Sequence, residues 1–244
     1  ANAYRVTATY LRKRRMWGLG VGLLVLFIAI ILSFTLGSRT IPLGDSLQAL
    51  WKPDLHNDQH LIVRELRIPR TMVAIFAGLA LGVAGAIMQA VTRNPLAEPG
   101  LLGINSGAAV AVILGIVAFN LTSMVQYVWF AFAGAGLAGV AVFILGQANG
   151  TGTNPVRLVL AGAGLSVVLA SITGIVIINA PTDVLDQFRN WSAGSVEGRS
   201  YDVIRVLAVS VAIGLLIAFS LAGKLNAIAL GKELGAALGV NVYA

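Results

Sequence analysis

The sequence predicts an all-α polytopic membrane protein, a compact glycine-rich bundle of helices, and three observations carry that prediction. Of the 244 residues, 57% are hydrophobic and 11% charged, with a mean hydropathy of +0.86, which is more apolar than a soluble domain. The 17 basic and 10 acidic residues fall in clusters that leave charge-free intervals at 16–38, 71–92, 99–156, 158–182 and 206–223. No interval alternates apolar and polar residues over segments of about ten, as the strands of a membrane barrel do. A helix needs roughly 20 apolar residues to cross a hydrocarbon core of about 30 Å, because its backbone groups must be satisfied within the segment. Four intervals accommodate one span each. The 58-residue interval accommodates two, with Asn120, Leu121, Thr122 and Ser123 marking a turn inside it. The expected spans are 16–37, 71–91, 100–118, 127–146, 156–178 and 203–222.

Each element follows in order. Residues 1–15 form a basic segment ending in Arg12, Lys13, Arg14 and Arg15. The stretch after it lacks a convincing small-residue cleavage pattern and reads as a first span rather than a signal peptide. Residues 39–70 make a polar segment too long for a tight turn, with Pro42, Pro53, His56 and His60. His56 and His60 have the i, i+4 spacing that puts two imidazoles on one helical face, but they lack an obvious third ligand, so a solvated loop is expected. Arg64, Arg67 and Arg70 close this segment. On residues alone two roles stand open for them: neutralising Asp54, Asp58 and Glu65 or contacting lipid phosphate, and docking a carboxylate-bearing partner through the bidentate guanidinium.

Span two is crowded with small residues, and Gly78 and Gly82 form a GxxxG pair. In lipid, where no hydrophobic drive separates helix from helix, such residues let backbones approach closely. The texture recurs at Gly134, Ala135, Gly136 and Gly139 and at Gly162, Ala163 and Gly164. After span two, Pro95 and Pro99 forbid a continuous helix. Residues 147–155, rich in Gly, Asn and Thr, join spans four and five. Span five carries Ser166, Ser171 and Thr173, whose hydroxyls either bond the preceding turn or line a path. The segment 179–201, with Trp191 and Gly194, is expected outside the membrane core, at its interface. In 223–244, Leu230, Leu234 and Leu238 recur every fourth residue and Gly231 and Gly239 stand where short helices end. This pattern fits short amphipathic helices, lying either on lipid or against a cytoplasmic partner. Lys232 and Glu233 argue against a seventh span.

With the amino terminus in the cytoplasm, the cytoplasmic segments hold nine basic and two acidic residues and the opposite face eight of each. Arg12 to Arg15, directly before span one, sets that orientation. The pI of about 10.3 is accounted for by topology and anionic membrane lipid, so no nucleic-acid partner is expected. The absence of cysteine excludes disulfides and thiolate metal sites. No phosphate loop, HExxH or nucleophile elbow is present, so no catalytic residue, no metal site and no enzymatic activity are expected. The predicted spans also lack the buried ionisable group on which ion-coupled carriers rely. Energy is then expected from an associated protein, with an ion-coupled carrier of a small organic solute as the alternative and a non-transporting scaffold as a third reading.

Three ordered runs resemble one family: Arg67-Ile68-Pro69-Arg70; Gly78-Leu79-Ala80-Leu81-Gly82-Val83-Ala84-Gly85-Ala86-Ile87-Met88-Gln89; and Arg93-Asn94-Pro95-Leu96-Ala97-Glu98-Pro99-Gly100-Leu101-Leu102-Gly103. With Arg157 to Gly162, Trp191 to Ser195, and Leu230-Gly231 followed by Ala236-Ala237-Leu238-Gly239, they resemble the permeases of ABC importers for ferric siderophores, haem and cobalamin, most closely the siderophore permeases. The resemblance implies a ten-span bacterial inner-membrane subunit, of which six spans are present here. It implies a second permease subunit, identical or not, two cytoplasmic ATPase subunits that carry ATP and Mg, and a periplasmic or lipid-anchored substrate-binding protein. It implies that Arg67 and Arg70 dock glutamates of the binding protein. Asn94 and Leu96 match one cytoplasmic gate, Asn154 and Pro155 fall near a second, and span five resembles the path-lining helix. ATPase coupling falls to Leu230, Gly231, Leu234, Ala236, Ala237, Leu238 and Gly239. No cofactor is implied for this chain itself.

Overall fold

The computed structural model of the protein describes residues 2–54, 56–147 and 154–229, and every regular element among them is helical. The α-helices are α1 (Asn2–Thr35), α2 (Leu43–Trp51), α3 (Asp58–Ile62), α4 (Ile68–Thr92), α5 (Ile104–Phe119), α6 (Met124–Gly146), α7 (Pro155–Asn179), α8 (Thr182–Ala193) and α9 (Tyr201–Ala229). A π-helical turn, Val63–Arg67, joins α3 to α4, and a 3₁₀ turn, Pro99–Leu102, precedes α5. Among the described residues, five helical runs are long and apolar enough to cross a membrane: Tyr10–Thr35, Asp58–Thr92, Met124–Gly146, Pro155–Asn179 and Tyr201–Ala229.

The polytopic all-α class therefore holds, while several helix boundaries differ from expectation. The expected span 100–118 is a 16-residue helix, α5, about 24 Å long at 1.5 Å per residue and short of a full crossing. Pro99, which lacks a donor, starts the 3₁₀ turn, and Gly103 at φ +71° ends it, so the α-helix cannot begin earlier. The helical run containing span two starts at Asp58 rather than at residue 71, because Asn57 caps it by accepting the Gln59 N–H at 2.9 Å. The last helix runs on through Lys224 to Ala229. The segment 179–201 contains α8, which turns Val184 and Phe188 inward and leaves Asp183 and Arg189 exposed.

The chain divides into two compact units. The first comprises residues 1–74 with 196–199. Its small core is Ile41, Ala49 and Val63, with Ile62 and Ile68 packed against it. Along α1, Trp17, Leu19, Leu23 and Phe27 are all exposed, as expected of side chains that face lipid rather than water.

The second unit comprises residues 75–195 with 200–244. α5 is its centre: α6, α7 and α8 all pack on it. Val112, Ile113 and Ile116 of α5 form one core with Leu121, Tyr127, Val184 and Phe188. Between α5 and α6 the chain turns as the polar residues predict. Asn120 adopts a left-handed φ of 52° to close α5, and Ser123 opens α6 in a reciprocal capping box with Gln126. The Tyr127 hydroxyl donates to Leu121 O at 3.2 Å and lies 3.1 Å from Gln187 Oε1, satisfying a buried polar group. Backbones approach most closely where Gly107 of α5 meets Gly134 of α6, with Ala138 and Ala111 one turn along on each helix.

Candidate functional site

Three sets of predicted residues are described, and each is built by a helix end. The first lies where α1 stops. The last four carbonyls of a helix have no intrahelical partner, and here all four are met. Leu32 O accepts the Leu36 N–H at 2.8 Å and Thr35 O accepts the Ile41 N–H at 3.1 Å. Ser33 O accepts from Arg70 Nη2 at 3.0 Å. Phe34 O accepts from Ser46 Oγ at 3.2 Å and from Arg67 Nη1, while Arg67 Nη2 donates to Arg39 O. Two cations thus sit at the negative end of the α1 dipole, where they are favoured.

The two arginines differ in what remains available. Arg67 is 4% exposed, with both terminal nitrogens committed to carbonyls. In this geometry Arg67 has an internal role, holding Phe34 O and Arg39 O at the end of α1. Arg70 keeps one side open: its Nη1 pairs with Glu197 Oε1 at 3.3 Å, and the Glu197 side chain is 72% exposed. The two guanidiniums and Glu197 border a cavity of about 290 Å³ with Gly37, Ser38 and Leu66. The acidic partner of Arg70 is therefore Glu197, not Asp54, Asp58 or Glu65. Glu197 went unrecognised in the sequence, although charge bookkeeping put it on the same face as Arg70.

The histidines also depart from the solvated loop expected of them. His60 is 2% exposed and its Nδ1 accepts the Asp54 N–H at 3.0 Å, while His56 is exposed, 3.6 Å from Asp54 Oδ1. One imidazole is thus a buried turn-former and the other lies on the surface.

The second set follows α4. Thr92 is buried and donates to Met88 O at 2.7 Å, and Arg93 then leaves the helix at φ +52°. Asn94 Oδ1 accepts the Leu96 N–H at 2.9 Å, and Asn94 O accepts the Ala97 N–H at 3.1 Å. This tight turn buries Ala97 and leaves Leu96 87% exposed. The chain next runs through the 3₁₀ turn onto α7. A Cβ on Gly162 would overlap Leu101 O and come within 2.9 Å of Leu102 Cα, and one on Gly103 would stand 3.2 Å from Ser166 Oγ. Ser166 itself donates to Gly162 O at 2.8 Å, the back-bonding alternative for its hydroxyl.

The third set opens α7. Asn154 is its N-cap, accepting the Val156 N–H at 2.9 Å, and Pro155 occupies the first helical position, where a missing donor costs nothing. The expected gate residues Asn94 and Leu96 thus precede a turn packed on α7, and Asn154 and Pro155 begin that same helix. Beside the same turn, Arg93 Nε donates to Ile228 O at 2.9 Å. Leu230, Gly231, Leu234, Ala236, Ala237, Leu238 and Gly239 lie outside the described residues.

The profile of the FecCD transport family matches residues 24–244. The ferric enterobactin transport system permease protein of Escherichia coli K12 is 42% identical over 221 residues, covering 90% of this chain and 65% of the relative. The iron(3+)-hydroxamate import system permease protein FhuB of Bacillus subtilis 168 is 36% identical over 218 residues, covering 89% of this chain and 56% of the relative. The chain therefore spans about two thirds or less of the length of these relatives. Among solved structures, a metal-chelate type ABC transporter in an inward-facing conformation superposes with a TM-score of 0.73 at 23% identity, over 94% of this chain and 68% of that one, a likeness of fold.

Proposed function

The chain belongs to the FecCD transport family, and from that premise we propose that it is the permease subunit of an ATP-driven importer that passes a ferric siderophore, or a related metal chelate, across the bacterial inner membrane. The observation that carries this reading is the 42% identity to a ferric enterobactin permease over 90% of the chain. The amino terminus and the α4–α5 turn face the cytoplasm in this reading, and the end of α1 with Arg70 faces outward. A second permease subunit completes the path. Two ATPase subunits bind from the cytoplasm at residues 230–239 and bring ATP and Mg. A periplasmic or lipid-anchored binding protein delivers the chelate, and this chain holds no cofactor of its own.

Physical considerations support the division of labour. α5 and α6 contain no charged residue, which fits work entering from outside the bundle, as rigid-body motion passed through short elements between two packings. An apolar, weakly binding lining lets a large chelate leave after it enters. The test is reconstitution of the full-length protein with its ATPase and binding protein in proteoliposomes loaded with ATP. Accumulation of iron-55 siderophore that requires ATP is expected. Uptake that follows a proton gradient and ignores ATP would establish an ion-coupled carrier instead.

Docking is assigned to Arg70, with Arg67 holding its base. Arg70→Glu is expected to weaken the binding protein's affinity for the permease in nanodiscs about tenfold, since like charges then face each other, with membrane levels unchanged. Glu197→Gln removes the internal carboxylate that competes for Arg70 and is expected to tighten docking by up to about fivefold, the range of an exposed pair. Affinities within twofold of wild type for both variants would remove docking from Arg70.

A further inference from the structure

We propose that Arg93 is a positioning residue that ties the α4–α5 turn to the end of α9, so that displacement of the segment after α9 is delivered to the turn that carries Leu96. The inference rests on the importer reading for its consequence and on geometry alone for the tie.

Arg93 is one of two described non-glycine residues with positive φ, at +52°. Asparagine or glycine adopts that region more readily than a long unbranched side chain. Asn120, the other case, fits that preference, and Arg93 does not. What the arginine adds is reach: its Nε donates to Ile228 O at 2.9 Å, 135 residues along the chain. A carbonyl oxygen has two lone pairs, so Ile228 O accepts this donor whatever backbone bond it also makes.

Both ends of the tie are anchored. Directly before Arg93, Thr92 is buried and bonded to Met88 O. Directly after it, Asn94 locks the turn through Leu96 N–H and Ala97 N–H. Further on, Gly162 and Ser166 hold the 3₁₀ turn against α7. At the other end, Ala227 is buried beside Ile228, and Leu230 lies two residues beyond. A push on residues 230–239 therefore meets a short path: Ile228 carbonyl, Arg93 guanidinium, then the turn presenting Leu96. A lone exposed hydrogen bond adds little to stability, so the expected signature is in coupling and not in folding.

The experiment uses the full-length protein with Arg93→Gly, which keeps the left-handed backbone and removes the side chain, and Arg93→Lys, which keeps the charge. In proteoliposomes with the ATPase and binding protein, Arg93→Gly is expected to hydrolyse ATP within about twofold of wild type while importing about tenfold less chelate. Arg93→Lys is expected to recover part of the import. A second readout needs no partner: spin labels at Glu98→Cys and Ala229→Cys, in a sequence free of cysteine, report the distance between the turn and the end of α9. The distribution is expected to be at least twofold broader in Arg93→Gly. An unchanged distribution overturns the tie whatever the protein transports. A broadened distribution with an unchanged ratio of ATP to chelate keeps the tie and overturns its role in coupling. Absence of any ATP-dependent import by the wild type counts against the importer reading and leaves the distance result standing.

Discussion

Gly107→Val is expected to prevent the second unit from assembling, whereas Gly136→Ala on the facing helix is expected to be tolerated. A Cβ at Gly107 would lie 2.5 Å from both Gly134 O and Ala138 Cβ. The carbonyl belongs to the backbone of α6 and cannot rotate aside, so the helices must separate. Separation forfeits dispersion contacts along the whole α5–α6 face, and those contacts are the main force between helices in lipid. Overpacking of this kind costs about 1–3 kcal/mol even where side chains can adjust, and here the obstacle is backbone on one side and a reciprocal glycine on the other. Gly136 and Gly139 have nothing within 4 Å of an added Cβ. Alanine at either position gains up to about 1 kcal/mol of helix propensity. Membrane-inserted yield and size-exclusion profiles in detergent read both outcomes. Native yield for Gly107→Val would show that α5 and α6 do not meet at these glycines.

Arg67→Ala is expected to cost about 3 kcal/mol, from two hydrogen bonds of a buried charged group at about 1.5 kcal/mol each or somewhat more. Phe34 O keeps Ser46, but Arg39 O loses the donor the structure gives it. Arg67→Lys preserves the charge and can reach only one carbonyl well, because an ammonium lacks the planar fork, so it is expected to recover about half. The measurement is thermal unfolding of the detergent-solubilised protein together with protease sensitivity of residues 39–51. A docking arginine would behave otherwise: full stability in Arg67→Ala, with weakened binding-protein affinity alone. That pattern would return Arg67 to the outer surface.

The bundle was legible because lipid imposes a simple rule on sequence. Where no charge can be tolerated for 20 residues, the intervals between charged clusters delimit helices, and the Asn120–Ser123 turn and the Pro95 and Pro99 break appear where they were expected. The rule fails where backbone conformation rather than polarity sets the boundary. Nothing in the hydropathy of Gly100 to Gly103 distinguishes a helix from a 3₁₀ turn closed by a left-handed glycine, so α5 came out short. Polar helices such as α3 and α8 have no charge-free signature and depend on packing, as the buried faces of Val184 and Phe188 show. Long-range charge pairing is least visible of all. Arg70 and Glu197 are 127 residues apart, and their meeting is fixed only by the fold. The separate duties of Arg67 and Arg70 were invisible for the same reason: both read as exposed cations until the carbonyls at the end of α1 were placed beside them.

The brevity of α5 bears on how the protein meets membranes of different thickness. Matching between a helix and the surrounding acyl chains is enforced only along surfaces that touch lipid, and α6, α7 and α8 pack on α5, leaving Leu114, Val117 and Phe119 exposed on it. Its irregular lead-in packs on α7, which supplies the protein surroundings that such backbone requires near lipid. Longer or shorter lipid tails would therefore tilt or strain the longer helices of the second unit more than α5, a short ruler within an adjustable frame.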